Sequence, residues 1–209
     1  MITVQDVHKE YIDGETRVRA LRGVSLGIGA GEFLSIAGPS GSGKTTLLNM
    51  IGCIDNADTG NVDIDGDRVA GKSKKELTEI RRAKIGFVFQ NFNLIPVLTA
   101  YENVSMPLSL LGLADTEVRE RTMGLLSEVG LEGMEHRRPS RLSGGQQQRV
   151  AVARALVKNP LIVLADEPTA NLDSATGEAI LKLMKDINQN RRTTFIFSTH
   201  DKMVMDYAD

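Results

Sequence analysis

The chain carries one cysteine in 209 residues, so no disulfide within it can hold the fold together. That residue, Cys53, lies in the apolar run at 49–54 and reads as a buried free thiol suited to a reducing compartment. No apolar stretch approaches the ~20 residues that a helix needs to cross a bilayer. The first ten residues lack the layout of a signal peptide. Action on a membrane therefore calls for a partner that does the spanning. Basic charge is not in excess either: the formal net charge is −2, and nucleic acid is not an expected ligand. Internal repeats and low-complexity tracts are also missing. What remains is ordinary, with 41% hydrophobic and 25% charged residues, enough for one domain with a buried core and room for subdomains.

Against that background the stretch at 38–46, Gly-Pro-Ser-Gly-Ser-Gly-Lys-Thr-Thr, stands out. It fits the phosphate-binding pattern Gly-x-x-x-x-Gly-Lys-Ser/Thr, with Gly38, Gly43, Lys44 and Thr45 at the fixed places. An apolar run of strand type at 33–37 precedes it, and residues 44–51 read as a helix. Glycines let the backbone curl so that successive N–H groups meet phosphate oxygens at the positive end of the new helix. Lys44 then reaches the β- and γ-phosphates, and the Thr45 hydroxyl ligates Mg²⁺. An ordinary Gly/Ser turn matches the four fixed positions by accident in roughly one such chain in a hundred. The flanking strand and helix make the accident rarer still.

Residues 2–7 and 18–28 read as strands separated by the turn Asp13-Gly14, and residues 62–66 as one arm of a hairpin. Charged residues 72–84 read as a helix and 85–90 as a strand ending on Gln90. Helical spacing recurs at 100–111, 116–129, 144–158 and 174–189. The fully apolar runs at 161–165 and 193–197 have the pattern of parallel strands buried on both faces. Asp63, Asp65 and Asp67 alternate like the first ligands of a calcium loop, but Arg68 and Lys74 stand where that loop needs Gly and Glu. They read as a solvated strand and turn. His8 and His136 have no motif around them.

Strand 161–165 ends on Asp166-Glu167. In a phosphate-loop protein the first acid holds Mg²⁺ and the second orients and deprotonates the attacking water. Two exposed acids capping the next turn are the plainer alternative, and Lys44 and Thr45 weigh against it. The segment Leu142-Ser-Gly-Gly-Gln146 then opens an Ala-rich helix. With it the sequence resembles the ATP-binding cassette (ABC) family, whose signature is Leu-Ser-Gly-Gly-Gln. Gln90 matches the family's Q-loop, Asn171-Leu172-Asp173 its D-loop, His200 its switch histidine, and Tyr11 the aromatic residue that stacks on adenine. The resemblance covers essentially the whole chain.

The resemblance implies an α/β fold: a P-loop NTPase (RecA-like) core with a mainly parallel sheet, an antiparallel β-subdomain and an α-helical subdomain. The core is expected at about 1–90 and 160–209, and the helical part at about 91–159. It further implies Mg²⁺-dependent ATP hydrolysis, with Glu167, His200 and Lys44 catalytic and Thr45, Gln90 and Asp166 at the metal. Tyr11, Ser40, Gly41, Ser42, Gly43, Lys44, Thr45, Thr46 and Gln90 are expected to hold the chain's own nucleotide. Ser143, Gly144, Gly145, Gln146 and Asp173 are expected to meet ATP held by a second copy, in a head-to-tail pair around two ATP.

The apolar residues at 91–98 are expected to pack the helical subdomain and to line a groove for a short helix of an integral membrane subunit. That places the chain on the inner face of a cell membrane. Local stretches, among them Phe92-Asn-Leu-Ile-Pro96 and Ala165-Asp-Glu-Pro-Thr169, are similar to the macrolide-export and lipoprotein-release group. There ATP drives a mechanical change in the membrane partner. Family members usually carry a further strand and helix beyond the position of Asp209, which leaves the last sheet edge open. Two rivals stand beside this reading. One is an ABC ATPase serving a soluble assembly or a cell-wall regulatory complex; the other is a catalytically silent nucleotide-binding module.

Overall fold

The computed structural model describes residues 1–14 and 16–209. Strand β1 (Ile2–Asp13) pairs antiparallel with β2 (Thr16–Ile28) and with β4 (Thr59–Ile64), and β5 (Asp67–Arg68) extends the sheet in the order β2-β1-β4-β5. β1 runs well past the expected end at residue 7. Pairing with β2 carries the polar His8-Lys9-Glu10 stretch along, and the register slips at Val4/Val7, Val7/His8 and Lys9/Glu10. Cross-strand pairing has overridden weak local propensity, with bulges absorbing the mismatch. The hairpin after β4 turns on Asp65 and Gly66, both at positive φ, as a two-residue primed turn requires. Asp65 and Asp67 pair with Lys84 at 3.5 and 2.8 Å, and Asp63 accepts from the Gly66 amide.

The second sheet is parallel. β3 (Phe33–Ala37), β6 (Ile85–Val88), β7 (Ile162–Asp166) and β8 (Thr194–Thr199) lie in the order β3-β8-β7-β6. Successive residues of its strands enter different cores. Ile162, Leu164 and Ile196 pack with the antiparallel sheet, α1 (Lys44–Ile51) and α2 (Lys74–Lys84). Val163, Ala165, Phe195 and Phe197 pack with α3 (Ala100–Leu110), α4 (Asp115–Glu128), α5 (Gly144–Leu156) and α6 (Ser174–Arg191). Both faces are covered, which is why these strands read as continuous apolar runs. On the helical side Phe33 meets Phe195 and Phe197, with ring centroids 5.6 and 4.6 Å away.

Helices begin where the sequence supplies caps. α2, α3 and α5 each open on a capping box, Ser73/Glu76, Thr99/Glu102 and Ser143/Gln146. α5 lies directly on β6, since a Cβ at Gly86 would come 2.4 Å from the Ala155 carbonyl oxygen. One helix was not anticipated. α7 (Lys202–Tyr207) is too short to show periodicity and starts on Asp201, whose carboxylate accepts from the Met203 amide. Among the described residues no helix is long and apolar enough to cross a membrane.

Candidate nucleotide site

The site forms at the carboxyl ends of the parallel strands, where open α/β sheets place their ligands. The phosphate loop follows β3, Gln90 follows β6, Asp166 and Glu167 end β7, and His200 follows β8. Adjacent strands thus deliver four chain-distant segments to one cleft of about 520 Å³. Tyr11, Ser40, Gly41, Gly43, Lys44, Thr45, Thr46, Gln90, Asp166, Glu167 and His200 line it. Ser42 is not among the lining residues; its amide donates to Pro39 O at 3.3 Å within the loop.

Gly43 shows why the loop needs glycine. It caps α1 at φ 92°, and a Cβ there would lie 2.4 Å from the Ala20 carbonyl oxygen. The first turn of α1 holds no acid, so its free N–H groups and positive end stay available to an anion. Lys44 is only 8% exposed, and its ammonium donates to Gly38 O at 2.7 Å and Pro39 O at 3.0 Å. An ammonium has three protons; the loop carbonyls take two and leave one for a phosphate oxygen.

Thr45 Oγ1 stands 3.2 Å from each Asp166 carboxylate oxygen. Among the described residues no group of three or more His, Cys, Asp or Glu could hold a metal. A hydroxyl with one carboxylate nevertheless fits Mg²⁺, which keeps several waters and takes much of its shell from substrate phosphates. The buried Ser198 hydroxyl lines the cleft and has no partner among the described residues, which leaves it available to a bound phosphate or its water.

Glu167 is held more firmly than its neighbour. Its φ is 46°, its amide donates to Ser198 O, and its carboxylate accepts from Thr199 Oγ1 at 3.2 Å while standing 2.6 Å from His200 Nδ1. A non-glycine residue in that region costs on the order of 1–3 kcal/mol and is kept where the surroundings fix it. Tyr11 lies on the β1–β2 hairpin at 40% exposure. Its hydroxyl donates to Asp55 at 3.0 Å, and the Lys9 ammonium lies 5.2 Å from the ring centroid. Burial, followed by the Asp55 carboxylate, raises the phenol pKa.

The remaining expected residues lie outside this cleft. Ser143, Gly144, Gly145 and Gln146 open α5, and Asp173 caps α6 by accepting from the Thr176 amide and hydroxyl. Those two helix starts touch, since a Cβ at Gly145 would come 2.5 Å from Thr176 Cγ2. Sequence reasoning overlooked several supports. Fully buried Asn103 accepts from the Ile95 amide and shares its two amide protons among the carbonyls of Ile95, Leu98 and Thr99, fixing the loop ahead of α3. An asparagine amid the apolar positions of a helix was the available signal. Gln148, also buried, donates to Pro168 O at 2.6 Å and ties α5 to the segment after Glu167.

Fold and site together define a phosphate-loop nucleotide-binding protein with the parts of a hydrolase. Comparison with known proteins specifies which kind: the sequence model described as ABC transporter matches residues 21–170, and the chain belongs to that family. It is 50% identical over 213 residues to the uncharacterized ABC transporter ATP-binding protein MJ0796 of Methanocaldococcus jannaschii, covering 100% of this chain and 91% of that one. It is 48% identical over 210 residues to the macrolide export ATP-binding/permease protein MacB of Syntrophobacter fumaroxidans. The whole chain is covered there, but only 29% of the relative. The cassette MJ0796, solved as a dimer in a post-hydrolysis state bound to ADP and Pi, superposes with a TM-score of 0.91 at 49% identity, covering 100% and 91% of the two chains.

Proposed function

We propose that this chain is the ATP-hydrolysing subunit of an ABC transporter, working as a head-to-tail pair of copies that drives an integral membrane permease. The observation that carries the reading is the division of the site. Lys44, the Thr45–Asp166 pair and the Glu167–His200 pair share one cleft, while the free helix end at Ser143–Gly145 lies outside it. A phosphate bound in the cleft gains its second set of N–H donors only from another copy. Dimeric structures of MJ0796 support that arrangement.

The roles follow from chemistry. Lys44 and the loop amides hold phosphates, and Tyr11 offers its ring to the base. Thr45, Asp166 and Gln90 would hold Mg²⁺, which when bound neutralises charge on the phosphoryl oxygens. Glu167 takes the proton of the attacking water, and His200 orients that carboxylate from the next strand. Residues 1–90 with 160–209, and residues 91–159, form the core and helical subdomains whose relative placement changes with the nucleotide.

A groove of about 230 Å³ beside Phe87, Phe89, Asn93, Met106 and Pro107 supports docking of a permease helix and thereby a place at the cytoplasmic membrane face. Of the 91–98 segment only Asn93 lines it; Leu94 packs into the helical core and Val97 is 70% exposed. Relatives named MacB carry ATP-binding and permease functions in one name, which favours the export and lipoprotein-release type.

The test is an affinity capture of Glu167→Gln with ATP from gently solubilised native membranes. Recovery of an integral membrane subunit with a large external domain supports the transporter reading. Good recovery of soluble partners alone overturns it in favour of a soluble assembly ATPase.

A further inference from the structure

The backbone corner after Gln90 adopts a shape it does not choose by itself. Phe92 and Asn93 are successive non-glycine residues at φ 60° and 46°, the left-handed region that L residues avoid. Such a pair persists only where its surroundings over-determine it. Two side chains from distant segments do so. Near the end of α5, Arg154 forks onto consecutive carbonyls, Nη2 donating to Phe92 O at 2.7 Å and Nη1 to Asn93 O. From the other side Asn171 Nδ2 donates to Gln90 O at 3.0 Å and to Asn91 Oδ1 at 2.9 Å.

Both choices of residue are informative. Among the described residues no carboxylate pairs with Arg154 within ion-pair distance, so this largely desolvated cation is satisfied by backbone dipoles alone. A rigid planar fork reaches two adjacent carbonyls, which a lysine head does not reproduce. Asn171 is exposed and contributes nothing to a core, yet its amide spans the first two residues of the corner. Arg154 belongs to the helix that opens at Ser143–Gly145, and Asn171 stands two residues before the Asp173 cap. On the paired-cassette reading those segments meet the partner's nucleotide, whereas Gln90 lines the chain's own cleft.

We infer that Arg154 and Asn171 are positioning residues that hold Gln90 in its own nucleotide cleft and link that placement to the elements offered to the partner's nucleotide. The link between sites rests on the paired-cassette reading; the positioning of Gln90 does not.

The test is a double-mutant cycle on the full chain, measuring Mg²⁺-ATPase rate and the Kd of a fluorescent ATP analogue. The variants are Gln90→Ala, Asn171→Ala, Arg154→Met, Arg154→Lys and the doubles of Gln90→Ala with Asn171→Ala and Arg154→Met. Each single change to Ala or Met is expected to lower kcat about tenfold or more with Kd within about threefold, since a misplaced group costs rate rather than binding. Arg154→Lys falls in between. Each double is no slower than Gln90→Ala alone, because residues acting through one group do not add.

Multiplying effects in the doubles, or an undiminished kcat in Asn171→Ala, overturns the inference. Asn171→Ala keeps the test decisive if Arg154→Met does not fold. ATP-driven dimerisation in the Glu167→Gln background, followed by light scattering, separates the two levels. No dimer there overturns the link between sites and the paired reading, while the cycle still decides the positioning of Gln90.

Discussion

The Glu167 carboxylate and the His200 imidazole meet at 2.6 Å, Oε1 to Nδ1, across the ends of neighbouring strands β7 and β8. Thr199 holds the other carboxylate oxygen. Both oxygens thus have a protein neighbour, and the left-handed backbone of Glu167 holds the carboxylate between the two strand ends.

Glu167→Gln keeps the shape of the side chain and removes the proposed base. Turnover is expected to fall about 10²–10⁴-fold, the usual worth of a positioned general base, while ATP binding stays intact. Phosphate release and nucleotide titration on the same preparation check both halves. Near-normal turnover would move the base elsewhere.

Gln146 offers a charge test. The boxes that open α2 and α3 use Glu76 and Glu102, whereas α5 uses a neutral amide in the same place. Gln146→Glu preserves the cap and adds about 0.3–1 kcal/mol of helix stability through the macrodipole. It also sets a carboxylate where a phosphate is expected. The thermal midpoint should hold or rise while ATP-driven dimerisation weakens; unchanged dimerisation would exclude a phosphate at this end.

Gly43→Ala drives a methyl into the Ala20 carbonyl at 2.4 Å, at a φ that alanine resists. Relief requires moving the phosphate loop off β2. A loss of about 1–3 kcal/mol in unfolding free energy and of nucleotide affinity is expected, read by urea titration and fluorescent-nucleotide binding.

Lys158 supplies the pH dependence. Burial, with Arg81 and Arg82 close by, lowers its ammonium pKa to about 8. An unfolded lysine titrates near ~10.4, so between these values the unfolded chain binds more protons and stability rises with pH. Below about pH 8 the folded state carries the cost of the charge in full. Lys158→Met should flatten the rise in urea midpoint between about pH 8 and pH 10 relative to the parent. A parallel rise in both proteins would refute the assignment.

Much of the site was legible because its chemistry is local. Gly43, Lys44 and Thr45 are contiguous, and strand 162–166 displays its two acids at its end. What the sequence could not display is contact between distant segments. Nothing in the run Gln90–Asn93 announces two left-handed residues, and nothing in the Ala-rich α5 announces that Arg154 turns inward to meet them. Likewise β1 runs past residue 7 because β2 pairs with it, a tertiary cause with no trace in its own polar stretch. The α7 helix is shorter than the period that would betray it.

The strand order has a consequence for how the protein is made. Among the described residues β3, which carries the phosphate loop, pairs within its sheet only with β8, and Phe33 pairs with Phe195, far along the sequence. A ribosome releases the loop early, yet the strand beneath it gains its neighbour only when β8 emerges. Contacts so far apart in sequence form late and slowly. The nascent nucleotide loop therefore waits for β8, and its strand is seated late in the folding of this sheet.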